Sequence, residues 1–120
     1  MIKLAKREEQ IMQVFWNLEK AFIKEIIPNL PNPKPHYNSV ATMLKILEEK
    51  GFLGHETVGN VYQYYPKIKR EDYQKHAMKD IVKHYFDNSY PRMLAYFAKE
   101  QNLSEKELNE ILQMIKSNKK

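Results

Sequence analysis

Apolar side chains recur at helical spacing in six stretches of the chain. In each stretch they occupy positions i, i+3, i+4 and i+7, which places them on one face of an α-helix. The polar residues between them fall on the opposite face. The stretches begin at Ile11, Ile23, Val40, Met78, Tyr90 and Leu108 and end at Leu18, Leu30, Leu47, Tyr85, Phe97 and Ile115. The pattern therefore predicts six amphipathic helices.

Local start and stop signals accompany these helices. Ser104 and Glu107 form the pattern of a capping box before the last stripe, and Ser89, shortly before a proline, is typical of a helix start. Gly51 is suited to end the third helix, because glycine readily adopts the left-handed conformation found there. Pro28 falls late in the second predicted helix, where its ring predicts a kink or an end.

One segment departs from the helical pattern. Phe52 to Val58 and Val61 to Tyr65 are rich in β-branched and aromatic residues, and Gly59-Asn60 between them predicts a two-residue hairpin turn. The order is then three helices, a hairpin and three more helices. It predicts a mainly α fold with a small β-hairpin, an N-terminal winged helix-turn-helix over 1–68 and a C-terminal helical region over 69–120.

Composition removes several classes of function. The 120 residues include no cysteine and only three glycines, which excludes disulfides, thiolate metal sites, cysteine nucleophiles and Gly-rich phosphate loops. No nucleophile elbow, paired carboxylates or cofactor motif is present, so we expect neither an enzyme nor a bound cofactor. The chain has no secretory signal and no apolar run of membrane-spanning length, so we expect a cytoplasmic protein without membrane insertion.

The charge balance permits a nucleic-acid partner without requiring one. The net charge is +5, yet residues 1–66 hold 8 basic and 7 acidic side chains while residues 67–120 hold 12 and 8. No run of five like charges occurs, which argues against a tail that binds polyanions indiscriminately. Most of the excess positive charge therefore lies outside the predicted winged helix.

The third predicted helix has the composition of a DNA-reading helix. A helix in the major groove buries one stripe and presents small hydrogen-bonding side chains near its N-terminal end. The polar face supplies Tyr37, Asn38, Ser39 and Thr42, with Lys45 in reach of phosphate. Every amphipathic helix has a polar face, however, and winged helices also serve as protein-interaction modules. DNA binding is the favoured interpretation, and an interaction module without DNA binding is the alternative.

One set of residues is distributed over the first helix, the third helix and its exit, the hairpin and the start of the fourth helix. It comprises Leu4, Glu8, Ile11, Met12, Trp16, His36 to Val40, Leu44, Leu47 to Leu53, Tyr62, Tyr64, Pro66 and Arg70 to Tyr73. These residues resemble the penicillinase-repressor family of bacterial regulators (the BlaI/MecI/CopY type). The matching residues within 36–53 resemble its recognition helix and the exit from it and are the most specific part, and the others are supporting pattern.

The resemblance implies a homodimeric repressor that binds a palindromic DNA operator. The recognition helix would contribute the five residues from Tyr37 to Lys45 named above, and the wing would contribute around Gly59 and Asn60. The apolar stripes of the C-terminal helices favour the same dimer, because they exceed what so short a region can bury alone. The alternative is that these helices fold back on the winged helix of the same chain. The predicted interface comprises Ile81, Tyr85, Leu94, Phe97, Leu108, Ile111, Leu112 and Ile115.

Regulation is where the chain departs from the family. Copper-responsive members carry a cysteine-rich motif, which is absent here. In antibiotic-responsive members a membrane sensor-protease cuts an Asn-Phe bond in the dimerisation region. The matching candidate cleavage site is Tyr96-Phe97, which keeps the phenylalanine and lacks the asparagine. The resemblance thus implies a sensor-protease as a further partner, while Phe97 is equally explained by the apolar stripe.

One further constellation lies on the fourth predicted helix. His76, Asp80 and His84 follow each other at intervals of four residues, a spacing that could offer metal ligands. Three residues in line along a helix make a poor tetrahedral site, so an exposed polar face is the favoured interpretation and we assign no metal.

Overall fold

The computed structural model describes residues 3–118 and is mainly helical with one β-hairpin, which confirms the predicted fold class. In chain order its elements are α1 (Lys6–Leu18), α2 (Ile23–Ile26), a 3-10 turn (Ile27–Asn29), α3 (Tyr37–Glu49), β1 (Leu53–Val58), β2 (Val61–Pro66), α4 (Arg70–Tyr85), α5 (Tyr90–Glu100) and α6 (Glu105–Asn118). All six helices and both strands expected from the sequence are therefore present.

The chain divides into two compact units. The first ends at Ala77 and the second begins at Met78, so that α4 contributes to both. The functional boundary after residue 68 stays a prediction. Among residues 3–118, no helix is both long and apolar enough to cross a membrane.

The core of the first unit is built from α1, α3 and the residues that enter the hairpin. Seven of its ten largest buried side chains are apolar positions predicted from helical spacing, and Met12, Phe52 and Leu53 are the other three. Each contributes about 1.5–3 kcal/mol by leaving water. Those without appreciable exposure are Ile11, Met12, Phe15, Ile26, Leu30, Val40, Leu44, Leu47, Phe52 and Leu53. The stripes of three successive helices therefore meet in one cluster.

Pro28 makes the second helix the shortest. α2 ends at Ile26, and Ile27–Asn29 continue as a single 3-10 turn. Proline has no N–H to donate, and its ring clashes with the preceding turn, so the α-helical ladder stops there. The expected interruption is thus confirmed, and Leu30 still reaches the core.

The hairpin is held at its turn and at the outer edge of β2. Val58 pairs with Val61 across the two-residue turn, and Gly59 adopts a left-handed φ of 64° that glycine tolerates. On its outer edge β2 pairs with the α1–α2 loop, where Ala21 and Tyr64 exchange two backbone hydrogen bonds of 2.9 Å. The β2 edge of the hairpin is therefore bound to this loop rather than free.

The second unit contains the later part of α4 together with α5 and α6. The predicted caps are confirmed: the Arg92 N–H donates to Ser89 Oγ at 3.2 Å, and the Glu107 N–H donates to Ser104 Oγ at 3.1 Å. Among the large apolar side chains described in this unit, only Val82 and Met93 are buried. Most of the predicted stripes in this unit thus remain exposed.

Candidate nucleic-acid interface

α3 presents a largely polar face to solvent. Tyr37, Asn38, Ser39, Thr42 and Lys45 are all exposed, as the sequence predicted. The Thr42 hydroxyl donates to the Asn38 carbonyl at 3.0 Å, which leaves its oxygen lone pairs free to accept from outside. The N-terminal half of α3 therefore offers hydroxyl, amide and phenol groups to a partner.

The hairpin turn lies beside the first residue of α3. Tyr37, Val58 and Val61 line one surface cleft of about 320 Å³ together with Phe22, Ile23 and Lys24. The turn residues Gly59 and Asn60 are exposed at the end of the same hairpin. The structure thus brings Tyr37, the first of the predicted helix positions, beside the residues that flank the wing turn.

Three residues that line this cleft are not among the DNA-binding positions predicted from the sequence. Phe22 and Ile23 precede or begin the short α2, and the exposed Lys24 adds a cation beside Tyr37. Lys24 lies between the apolar positions Ile23 and Ile26, so the helical pattern itself marks it as a solvent-facing position.

A side-chain contact ties α3 to the hairpin. His55 Nδ1 of β1 lies 2.5 Å from Glu48 Oε2 in the last turn of α3, where the carboxylate accepts the hydrogen bond. The His55 ring stacks on Tyr62 of β2, with centroids 4.0 Å apart. Burial, followed by the negative charge of Glu48, raises the pKa of the neighbouring Tyr64. The orientation of the wing relative to α3 is therefore fixed by specific side chains.

A second link connects α1 to the end of α3. Glu8 accepts hydrogen bonds from the Ala5 N–H at 2.9 Å and from Lys50 Nζ at 2.7 Å. Burial alone would raise the pKa of Glu8, but these two hydrogen bonds and the charge of Lys50 bring the pKa below its usual value. The C-terminal end of α3 is thus anchored to the core while its N-terminal half stays accessible.

The predicted dimer positions lie on the second unit. Ile81 is half-buried, and the remaining seven are exposed: Tyr85, Leu94, Phe97, Leu108, Ile111, Leu112 and Ile115. Tyr96 and Phe97, the candidate cleavage site, lie in the middle of α5 and pack against Phe86 with ring centroids 5.4 and 6.1 Å away. Two of the three helix-aligned polar residues of α4 pair with each other, His84 Nε2 and Asp80 Oδ1 at 3.3 Å.

Three helices, the third with an exposed polar face beside the turn of an antiparallel hairpin, define a winged helix-turn-helix protein. The chain belongs to the penicillinase repressor family, whose model matches residues 4–117. That family consists of transcriptional repressors, which are regulators rather than enzymes. The resemblance stated from the motifs is therefore confirmed.

Individual relatives are similar over almost their whole length. The penicillinase repressor of Bacillus licheniformis is 27% identical over 122 residues, covering 98% of this chain and 92% of that protein. The methicillin resistance regulatory protein MecI of Staphylococcus aureus (strain N315) is 21% identical over 114 residues, with 94% and 93% covered. The penicillinase repressor of Staphylococcus aureus is 20% identical over 115 residues, with 95% and 91% covered.

Proposed function

We propose that this protein is a dimeric transcriptional repressor that binds a palindromic operator in duplex DNA. The exposed polar face of α3 beside the hairpin turn is the observation that carries the proposal. Tyr37, Asn38, Ser39, Thr42 and Lys45 supply base or backbone contacts in the major groove, and Gly59 and Asn60 approach the adjacent backbone. Because it acts on the chromosome by occluding a promoter, we place it in the cytoplasm.

The exposed stripe of the second unit supports the dimeric part of the proposal. Tyr85 is 78% exposed and Leu112 50% exposed. Soluble monomers seldom expose large contiguous apolar patches, and a two-fold axis would let the same stripe of a second copy cover this one. A dimer of this kind sets its two α3 helices about 34 Å apart, which is one turn of duplex DNA.

The regulatory part of the proposal is inactivation by cleavage between Tyr96 and Phe97. Both side chains are exposed, but a helical backbone does not fit a protease cleft, so α5 must unwind locally before it is cut. Co-expression with a candidate membrane sensor-protease, followed by mass spectrometry of the fragments, tests this. A fragment that begins at Phe97 supports the proposal, and an intact chain in cells that have lost repression contradicts it.

A mobility-shift assay with random genomic fragments tests DNA binding. We expect salt-sensitive binding to a small subset of fragments, and the proposal fails if no duplex is preferred at any protein concentration. Lys45→Ala should weaken binding to all sequences and reduce the salt slope by about one phosphate contact. Lys99→Ala removes the same charge from exposed α5 and is the matched control.

An interaction module without DNA binding is a second candidate, because the wing has no basic side chain, carries the acidic Glu56 and is partly apolar. β1 and β2 contain no lysine or arginine, and Val58, Val61 and Tyr62 are exposed on them. A protein that binds another protein through this surface should elute from a heparin column at low salt and show no preference for any operator sequence. Operator-selective binding excludes this candidate as the main function.

A further inference from the structure

One side chain on the exposed face of α3 does not match the polar character of its neighbours. Ile46 is 39% exposed, whereas the stripe residues Val40, Leu44 and Leu47 of the same helix have no exposed surface. Its neighbours Lys45 and Glu49 on the outer face are charged. Ile46 is therefore an apolar group held outside the core.

The helix geometry places Ile46 with the proposed DNA contacts. At about 100° per residue, Ile46 lies one turn beyond Thr42 and only about 40° around the helix from it. Leu47, by contrast, turns inward to the core. A duplex that contacts Thr42 and Lys45 also meets Ile46.

Few large hydrophobic side chains of the first unit are exposed to solvent. Among the described residues up to Ala77 there are six: Leu18, Tyr37, Ile46, Val58, Val61 and Tyr62. Tyr37, Val58 and Val61 line the cleft at the hairpin. Ile46 is separate from them, because nine residues place it about 180° around α3 from Tyr37, on the side of Ser39 and Thr42.

We propose that Ile46 is a base-reading residue that selects thymine through its C5-methyl group. This inference rests on the proposed DNA-binding function. In the major groove the thymine methyl is the apolar group that distinguishes one base from the others, and a branched aliphatic side chain packs against it without a hydrogen bond. The polar residues Asn38, Ser39 and Thr42 read donors and acceptors, and Ile46 adds a methyl contact one turn further along α3.

Thymine-to-uracil substitution in the preferred operator tests the inference. Uracil keeps the base pair and the O4 acceptor and removes only the methyl group. At one symmetric pair of thymines we expect wild-type affinity to fall about fourfold per half-site, the effect of losing one buried methyl. Ile46→Ala should bind the thymine operator more weakly and show no further loss with uracil at that position.

Lys45→Ala is the matched variant, because it should weaken binding while keeping the uracil effect. The inference is overturned if wild type binds a preferred operator and Ile46→Ala responds to every uracil substitution as wild type does. Absence of any preferred duplex would instead overturn the proposed function and the inference together. Circular dichroism of Ile46→Ala, an exposed helix position, verifies that the fold is retained.

Discussion

At the scale of single residues, two polar side chains connect the N-terminal segment and α1 to later parts of the first unit. Glu8 is only 8% exposed and accepts hydrogen bonds from Ala5 and Lys50. The Tyr73 hydroxyl accepts from the Leu4 N–H at 3.1 Å and donates to Glu9 Oε2 at 2.7 Å. Both groups join segments that are distant in sequence, so loss of either hydrogen-bonding group should lower the free energy of unfolding measurably.

The first prediction concerns Glu8→Gln, which keeps the shape of the side chain and removes the charge paired with Lys50. We expect the free energy of unfolding to fall by about 1–3 kcal/mol at neutral pH, because a charge-assisted hydrogen bond in a buried site is lost. Since the folded pKa of Glu8 is lowered, its contribution is present above the usual pKa and disappears as the pH falls through the folded value.

Urea unfolding of both proteins at neutral pH and at about pH 3 measures this effect. The difference in free energy of unfolding between wild type and Glu8→Gln should become smaller at acid pH. Glu56→Gln, at an exposed position of β1, is the control and should change stability by less than about 0.5 kcal/mol. A difference that stays constant with pH would contradict the assigned role of the Glu8 charge.

The second prediction concerns alkaline pH. Burial, and then the hydrogen bond donated to Glu9, raise the pKa of Tyr73 to about 12. Unfolded tyrosine titrates near pH 10. Between these two values the unfolded chain binds fewer protons, so stability should fall as the pH rises.

Tyr73→Phe should make the fall of stability with rising pH less steep. At neutral pH it should lower the free energy of unfolding by about 1–2 kcal/mol, because the Leu4 N–H loses its acceptor. Urea unfolding over about pH 8–11 compares the slopes of the two proteins. Tyr64, whose pKa is also raised, contributes to the slope in both. Identical slopes would show that Tyr73 ionises equally in the folded and unfolded chains.

At the scale of elements, the helices follow local signals while the wing depends on a distant contact. The caps at Ser89 and Ser104 were predictable because their partners lie three residues away. The orientation of the hairpin depends instead on His55 and Glu48, and on the bridge between Ala21 and Tyr64. No periodicity marks those pairs, since they meet only after α3 and the hairpin have packed.

The third prediction is that His55→Phe weakens operator binding more than it weakens folding. Phenylalanine keeps an aromatic ring to stack on Tyr62 and removes the nitrogen that contacts Glu48. Loss of one partly exposed hydrogen bond corresponds to about two- to fivefold in affinity.

Binding curves on the preferred operator measure this change, together with urea unfolding of the same samples. His84→Phe is the matched control, because His84 belongs to the second unit and lies far along the chain from α3 and the wing. Equal affinity of His55→Phe and wild type would show that the contact does not position the wing.

At the scale of the whole molecule, the two units differ in how well they bury their own stripes. The first unit closes a core around α1 and α3, whereas α5 and α6 leave Leu94, Phe97 and Leu112 exposed. The contrast agrees with a second unit that completes its core only with a second copy. The proposed palindromic operator depends on that pairing.

The fourth prediction is that Leu112→Asp produces a monomer. A carboxylate at the centre of the apolar stripe of α6 would lose its water on dimerisation, which should weaken association by at least about a hundredfold. Sedimentation equilibrium measures this shift. Gln113→Asp introduces the same charge at the next exposed position of α6 and should leave the dimer intact. A monomeric wild-type protein would contradict the dimer itself.

Local sequence was enough to predict the six helices, the hairpin, the caps at Ser89 and Ser104, and the polar face of α3. These features depend on hydrogen bonds and side-chain spacing within a few residues, so a short stretch of sequence is enough to predict them. The tertiary structure decided which distant groups meet: Tyr37 beside Val58 and Val61, Glu48 with His55, and Tyr73 with Leu4. Such contacts depend on how the elements pack, which local spacing does not encode.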